Sequence, residues 1–222
     1  MMEKPTINAV IFDQDGLMFD TERMSEGIWY RVADELGIPI YDELLASIRG
    51  MNADDSYGLF REYYGDTVDI RAFRERKREV FLREVREKGV PVKPGLRKLL
   101  AWLREHGYRM AVATASREEY TRRNLEETGI SEYFAAVTNC DMVKHAKPDP
   151  ELFLKAAQML GEKPEHCLVL EDSRKGLEAG LRGGFVTVMV PDIWQPTEEL
   201  RGRLYRVCRS LDEVIPLLEE LR

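Results

Sequence analysis

Alternation between short apolar strands and amphipathic helices is the feature that most restricts the fold of this 222-residue chain. The second half of the sequence predicts strands at 108–113, 135–138, 167–170 and 185–190, with a helical segment between successive strands. A crossover helix is what returns a chain to the same edge of a sheet, so this order is typical of parallel strands. The pattern predicts a doubly wound parallel α/β sheet, to which the earlier apolar run Ala9–Phe12 adds a strand.

A long stretch without predicted strands interrupts this pattern between about residues 20 and 88. Its apolar periodicity predicts helices at 23–36, 42–48, 54–64 and 70–87. We therefore expect one α/β core built from residues 1–18 and 91–222, with residues 19–90 inserted as an α-helical cap. A lid of this kind would exclude water from chemistry at the sheet edge.

The bulk properties exclude several classes of protein. A net charge of -7 argues against a generic nucleic-acid or anionic-membrane surface. No apolar run approaches the ~20 residues of a membrane span, and the first five residues lack the apolar segment of a signal peptide. Three widely spaced cysteines predict neither a disulfide framework nor a zinc site, so a cytoplasmic location is the simplest expectation.

Two carboxylates and a glycine follow the first predicted strand directly, at Asp13, Asp15 and Gly16. The carboxyl ends of strands are where open α/β sheets bind their ligands. Two charges at such a place are costly unless a cation or a reacting group holds them. The pair is therefore a candidate site, and a pair of turn-forming aspartates is the structural alternative.

Later segments add polar side chains at comparable positions. One apolar strand is followed by the hydroxyls of Thr114 and Ser116, and another is followed by Glu171 and Asp172. Between them, Lys147 precedes a proline-rich turn. A serine or threonine after a strand is usually a turn or capping residue, and Glu171 and Asp172 could simply cap the following helix.

Taken together, these segments resemble the four motifs of the haloacid dehalogenase superfamily, in the same order and at similar spacing. The resemblance is closest to the β-phosphoglucomutase-like phosphatases, and it runs from about residue 7 to residue 190. It rests on the segments Asp13–Leu17, Asp20–Glu22, Val112–Ser116, Lys147–Phe153 and Leu168–Gly176. It implies a Rossmann-like core, an inserted helical cap that determines substrate specificity, a Mg²⁺ cofactor and a monomer.

The resemblance also implies a catalytic role for five residues. Asp13 would be the nucleophile that forms an aspartyl-phosphate, and Asp15 would be the general acid and then the general base. Thr114, the backbone amide of Ala115 and Lys147 would bind the phosphoryl oxygens.

A magnesium site is implied at the same place. Asp13 and Asp172 would provide carboxylate oxygens, and Asp15 would provide its backbone carbonyl. Glu171 would bind directly or through water. Mg²⁺ prefers oxygen ligands and keeps several waters, so few protein groups suffice.

Departures from the subfamily pattern bear on the activity. Gln14 stands where relatives usually carry an apolar residue, and we expect its side chain to face away from the site. Ser25 stands where the mutase has a histidine that assists proton transfer, and Ala53 stands where it has an arginine for a distal phosphate. Both of these changes argue against mutase activity.

Weaker candidates for substrate contact are Ser116, Arg49 and Lys77. Helix capping is the alternative for Ser116, a solvated surface for Arg49 and a charged helix face for Lys77.

The leading hypothesis is a Mg²⁺-dependent phosphatase that acts on a small phosphorylated metabolite, with a sugar phosphate as the expected substrate. A phosphosugar mutase is the alternative, followed by a non-catalytic ligand-binding homologue. We expect neither a nucleic-acid partner nor a membrane partner.

Overall fold

The computed structural model describes residues 4–48 and 53–222, without the side chains of residues 53–56. The chain divides into two compact units. One unit contains the residues up to 20 and from 90 onwards, and the other contains residues 21–89.

The larger unit is built on a six-stranded parallel sheet in the order β3-β2-β1-β4-β5-β6. The predicted doubly wound parallel sheet is therefore confirmed. Its strands are β1 (Ala9–Phe12), β2 (Arg109–Ala113), β3 (Ala136–Thr138), β4 (Cys167–Glu171), β5 (Val186–Met189) and β6 (Arg206–Val207).

The position of β1 decides where the polar strand ends meet. It pairs with β2 on one side and β4 on the other, so Phe12 lies beside both Val112 and Leu170. The chain first builds the sheet outward from β1 through β2 and β3, and then returns to place β4 on the opposite side. Such a reversal opens a crevice at the carboxyl edge of the sheet, which is where ligands bind in this architecture.

Helices of the larger unit flank the sheet. They are α5 (Leu96–Glu105), α6 (Glu118–Glu127), α7 (Glu151–Leu160), α8 (Arg174–Arg182), α9 (Glu198–Arg201) and α10 (Val214–Leu221). The sequence predicts one helix over 211–221, but residues 211–213 form a 3-10 turn before α10 begins. Pro216 explains this start, because a proline has no N–H to donate and is tolerated in the first helical turn.

The smaller unit consists of helices α1 (Thr21–Leu36), α2 (Asp42–Ile48), α3 (Ala53–Tyr64) and α4 (Ile70–Lys88). Partly buried Trp29 packs against its core, where the ring stacks on Phe60 at 5.4 Å and on Phe73 at 5.1 Å between centroids. These contacts hold α1 against α3 and α4. None of the helices in the described part of the chain is long and apolar enough to cross a membrane.

The two segments that join the units run side by side within the larger unit. Phe19 pairs with Val92 in an antiparallel bridge, and the Asp20 amide donates to the Pro91 carbonyl at 2.8 Å. The chain therefore leaves and re-enters the α/β unit at one place.

Candidate active site

Asp13 directly follows β1, a fully buried strand of the sheet. All four residues of β1 are fully buried, and the Asp13 amide donates to the Leu170 carbonyl at 3.0 Å. Asp13 itself is only 7% exposed. Its carboxylate is therefore fixed at the carboxyl edge, between the ends of β2 and β4.

Lys147 is the cation of this edge. Its Nζ lies 2.5 Å from Asp13 Oδ1 and 2.8 Å from Glu171 Oε1, and it donates to the Ala113 carbonyl at 3.1 Å. An ammonium group has three protons, so these contacts use its full donor capacity. Burial lowers the pKa of Lys147, but the adjacent Asp13 and Glu171 carboxylates outweigh it and raise this pKa, so Lys147 is charged.

Glu171 is fully buried and accepts hydrogen bonds at both carboxylate oxygens. Besides the contact with Lys147, its Oε2 accepts from the Asp172 amide at 2.9 Å, the Ser173 amide at 2.7 Å and Ser173 Oγ at 2.9 Å. Gly176 provides the space for this group, since a Cβ at that position would overlap the Glu171 carboxylate. Glu171 is thus occupied by protein donors.

Three buried carboxylates meet at this edge. Carboxylate oxygens of Asp13, Glu171 and Asp172 lie within 4.8 Å of one another. Gly16, with a φ of 89°, makes the close approach possible, because a Cβ there would collide with Asp172.

The charges of this cluster are not balanced by Lys147. Burial raises the pKa of the Asp13 carboxyl, and the charge of Glu171 adds to this effect while Lys147 opposes it. When all three acids are ionised, one ammonium leaves two negative charges, which a divalent cation with a preference for oxygen ligands would neutralise. The donor set therefore fits Mg²⁺.

Asp15 is held by donors from two parts of the chain. Its Oδ2 accepts from Ser116 Oγ at 2.6 Å and from Gln14 Nε2 at 3.2 Å, and its Oδ1 lies 3.4 Å from the Tyr120 hydroxyl. The expectation that Gln14 faces away from the site is wrong. The Gln14 side-chain amide donates a hydrogen bond to the carboxylate of the adjacent Asp15, and an apolar residue at this position could not donate one.

Thr114 and Ser116 lie where β2 ends. Thr114 is buried, and its Oγ1 accepts from the Ser116 amide at 3.0 Å. The hydroxyl proton of Thr114 therefore points elsewhere and is available to an anion at the sheet edge. Ala115 between them is exposed.

The two weaker candidates of the smaller unit have different outcomes. Arg49 lies outside the described residues. Lys77 donates to Ser25 Oγ at 2.6 Å and lies 4.6 Å from the centroid of the Trp29 ring. Burial lowers the pKa of Lys77 to about 8, with Glu22 opposing this effect and Arg74 adding to it.

Sequence reasoning missed a partly buried ion cluster in the larger unit, where the two joining segments meet the loop after β5. Lys93 Nζ lies 2.6 Å from Asp192 Oδ1 and 3.0 Å from Asp20 Oδ1. The Asp192 side chain is 1% exposed. Lys93 and Asp192 are 99 positions apart, so no local pattern pairs them.

A six-stranded parallel sheet with buried carboxylates and a lysine at its carboxyl edge defines a Rossmann-like enzyme core. The chain belongs to the haloacid dehalogenase-like hydrolase family, whose family model matches residues 10–190. The resemblance to this family is thereby confirmed.

Curated relatives include enzymes with more than one activity. A phosphorylated carbohydrates phosphatase of Thermotoga maritima is 29% identical over 96% of this chain and 91% of its own length. A fructose-1-phosphate phosphatase of Escherichia coli is 31% identical over 82% and 95%. A β-phosphoglucomutase of Bacillus subtilis is 27% identical over 83% of each chain.

A solved structure shares the fold along the whole chain. A family hydrolase from Deinococcus radiodurans, with bound phosphate and sodium, superposes with a TM-score of 0.80. It is 26% identical, and the match covers 99% of this chain and 97% of that one.

Proposed function

We propose that this protein is a Mg²⁺-dependent phosphatase that hydrolyses a small phosphorylated carbohydrate through an aspartyl-phosphate intermediate. The observation that carries the proposal is the arrangement around Lys147, whose Nζ lies 2.5 Å from Asp13 Oδ1 within a buried carboxylate cluster. The names of two curated relatives, both phosphatases of phosphorylated carbohydrates, support the substrate class. We infer that the enzyme acts as a monomer on this small-molecule substrate.

The first half-reaction transfers the phosphoryl group to the protein. A carboxylate oxygen of Asp13 forms the new bond to phosphorus while the bond from phosphorus to the ester oxygen breaks. Asp15 gives its proton to that leaving oxygen, so an alcohol departs in place of an alkoxide.

The second half-reaction reverses the role of Asp15. As a base it takes a proton from a water molecule, whose oxygen attacks phosphorus while the bond to Asp13 breaks. Inorganic phosphate leaves and both carboxylates return to their starting states. The ester and one water molecule are thus converted into an alcohol and inorganic phosphate.

Positive charge and hydrogen-bond donors stabilise the equatorial oxygens in both steps. Lys147 provides a fixed cation, Thr114 provides its free hydroxyl proton, and the Ala115 amide follows it in the same loop. Loops at strand ends are preorganised by the sheet, so little rearrangement is needed during the reaction.

Mg²⁺, when bound, would offset the repulsion between Asp13 and the incoming phosphate. Carboxylate oxygens of Asp13 and Asp172 and the backbone carbonyl of Asp15 would hold it. Glu171 already accepts several protein hydrogen bonds, so we propose that it acts through water.

Residues of the helical unit are proposed to select the substrate. Lys77 is the candidate that lies within the described residues. It is a partly buried cation beside the Trp29 ring and the Ser25 hydroxyl. Arg49 and the hydroxyl of Ser116 in the α/β unit complete the proposed set.

A phosphosugar mutase is the second candidate, because one relative is named a β-phosphoglucomutase. Ser25 argues against it. A serine has no group that titrates near neutral pH, and its hydroxyl accepts a hydrogen bond from Lys77. Interconversion of glucose phosphates without net phosphate release would favour the mutase.

The testing experiment is phosphate release from a panel of phosphorylated metabolites, with Mg²⁺ and with EDTA. We expect metal-dependent release from the wild type and none from Asp13→Asn. The matched control is Asp66→Asn, which removes an acid whose side chain is 85% exposed. Equal rates in Asp13→Asn and the control would exclude the covalent mechanism.

A further inference from the structure

We propose that Tyr120 and Gln14 are positioning residues that, with Ser116, hold the Asp15 carboxylate in the orientation needed for proton transfer to the leaving group. The inference rests on the proposed function, because it concerns the residue proposed as general acid and base. It assigns a role to two side chains that the catalytic steps above do not use.

Both carboxylate oxygens of Asp15 have hydrogen-bond donors beside them. Ser116 Oγ at 2.6 Å and Gln14 Nε2 at 3.2 Å reach Oδ2, and the Tyr120 hydroxyl lies 3.4 Å from Oδ1. A carboxylate with donors at both oxygens is restrained in its rotation about the bond that joins it to Cβ. The contacts therefore fix the direction in which Asp15 presents its oxygens.

The burial of Gln14 supports a role beyond packing. Gln14 is 0% exposed, and its Oε1 has no hydrogen-bond partner in the described part of the chain. A buried amide oxygen without a hydrogen-bond partner lowers the stability of the fold. An apolar side chain at this position would avoid that loss. What the glutamine adds is the hydrogen bond to Asp15.

The placement of Tyr120 has the same implication. It lies in the first turn of α6, directly after the loop that contains Thr114 and Ser116. The Ser116 amide donates to Thr114 while the Ser116 hydroxyl donates to Asp15. One short segment after β2 therefore orients a proposed phosphate ligand and the proposed acid, and Tyr120 extends this support to the second oxygen of Asp15.

The dependence of kcat/KM on the leaving group distinguishes a loss of acid positioning from a general loss of activity. An alkoxide requires a proton as it leaves, whereas p-nitrophenolate leaves readily without one. The value of kcat/KM reports the steps up to formation of the aspartyl-phosphate, before Asp15 is needed as a base. The test compares kcat/KM for fructose 1-phosphate with kcat/KM for p-nitrophenyl phosphate, in the full chain with Mg²⁺.

The variants are Tyr120→Phe, which removes only a hydroxyl, and Gln14→Leu, which restores an apolar residue. We expect each to lower kcat/KM for fructose 1-phosphate about tenfold, a part of the ~10²–10⁴ that acid catalysis contributes. The value for p-nitrophenyl phosphate should change less than about twofold, since its step needs little acid assistance. Asp15→Asn should show the same selectivity to a larger extent.

The other outcomes distinguish a failure of this inference from a failure of the proposed function. Equal loss on both substrates, or no loss on either, in Tyr120→Phe and Gln14→Leu would overturn the inference while wild-type turnover keeps the proposed function. No turnover of either substrate by the wild type would instead count against the proposed function. Tyr133→Phe, at a surface tyrosine that contacts Arg104, is the control and should match the wild type.

Discussion

Gly176 lies against the carboxylate of Glu171, and the hydrogen atom in place of its side chain is what leaves room for that buried acid. Ser173, which caps α8, donates to the same carboxylate and accepts from the Gly176 amide. The first turn of α8 is thereby built around Glu171, which in turn holds Lys147 at 2.8 Å. A glycine that has no side chain of its own thus helps to determine, through Glu171, where Lys147 lies.

Gly176→Ala is expected to displace Glu171 and to lower the activity more than tenfold. The collision is with a buried group, so we also expect a loss of stability of about 1–3 kcal/mol. Phosphate release and urea unfolding measure the two effects. Gly27→Ala is the control, because a Cβ there meets nothing within 4 Å, and it should leave both unchanged or slightly raise stability.

Lys147→Ala is expected to lower kcat about 10²-fold or more, by analogy with the loss of one preorganised donor. The variant removes a buried ammonium and leaves Asp13 and Glu171 to repel each other and the phosphate. Steady-state phosphate release measures the loss. Lys98→Ala, whose side chain is 70% exposed, serves as the control, and a loss below tenfold in Lys147→Ala would place this lysine outside the chemistry.

Mg²⁺ is expected to raise the melting temperature more at pH 8 than at pH 5. Burial raises the pKa of Asp13 above its ordinary 3.8, so at low pH a cation must displace a proton to bind. Without metal, the same shift makes stability fall as the pH rises from about 4 towards the raised pKa, because the unfolded chain releases this proton first. Melting curves with Mg²⁺ or EDTA measure both trends, and Asp13→Asn should weaken them.

Lys77→Met is expected to stabilise the protein at pH 7 and to raise KM for the substrate. Burial lowers the pKa of Lys77 from 10.5 to about 8, so below pH 8 the folded state bears the full cost of a partly buried charge. That cost is on the order of 1–3 kcal/mol and fades between about pH 8 and 10.5, as the folded state releases the proton first. The wild type should therefore approach the stability of the variant as the pH rises.

Urea unfolding at pH 7 and pH 9.5 measures this difference, and substrate saturation measures KM. Lys88→Met is the matched control on the same helix, because its side chain is 67% exposed. A destabilised Lys77→Met would mean that the contacts of Lys77 with Trp29 and Ser25 outweigh its burial.

Particular elements show how far the sequence could lead. The sequence predicts helices over 42–48 and 151–160, the second ended by Gly161. Both helices have these bounds, because apolar periodicity and, for the second, Gly161 in the left-handed conformation mark them locally. The start of α10 differs from its prediction because the apolar pattern begins at residue 211, whereas Pro216, which has no N–H to donate, is accommodated in the first turn of an α-helix that begins at Val214. Helix boundaries depend on the hydrogen bonds of single backbone groups, and the apolar periodicity of the sequence does not reveal these.

By itself, the sequence determined that polar residues follow the strands at Asp13, Thr114 and Asp172, and a parallel sheet brings such positions to one edge. Only the tertiary structure decided which of these groups touch. Lys147 meets Asp13 across 134 positions, and Lys93 meets Asp192 across 99. The direction of Gln14 was decided in the same way, by the turn after β1. The positions of the strands along the chain follow from local patterns, whereas a side-chain contact depends on rotamers, burial and charges that distant segments impose together.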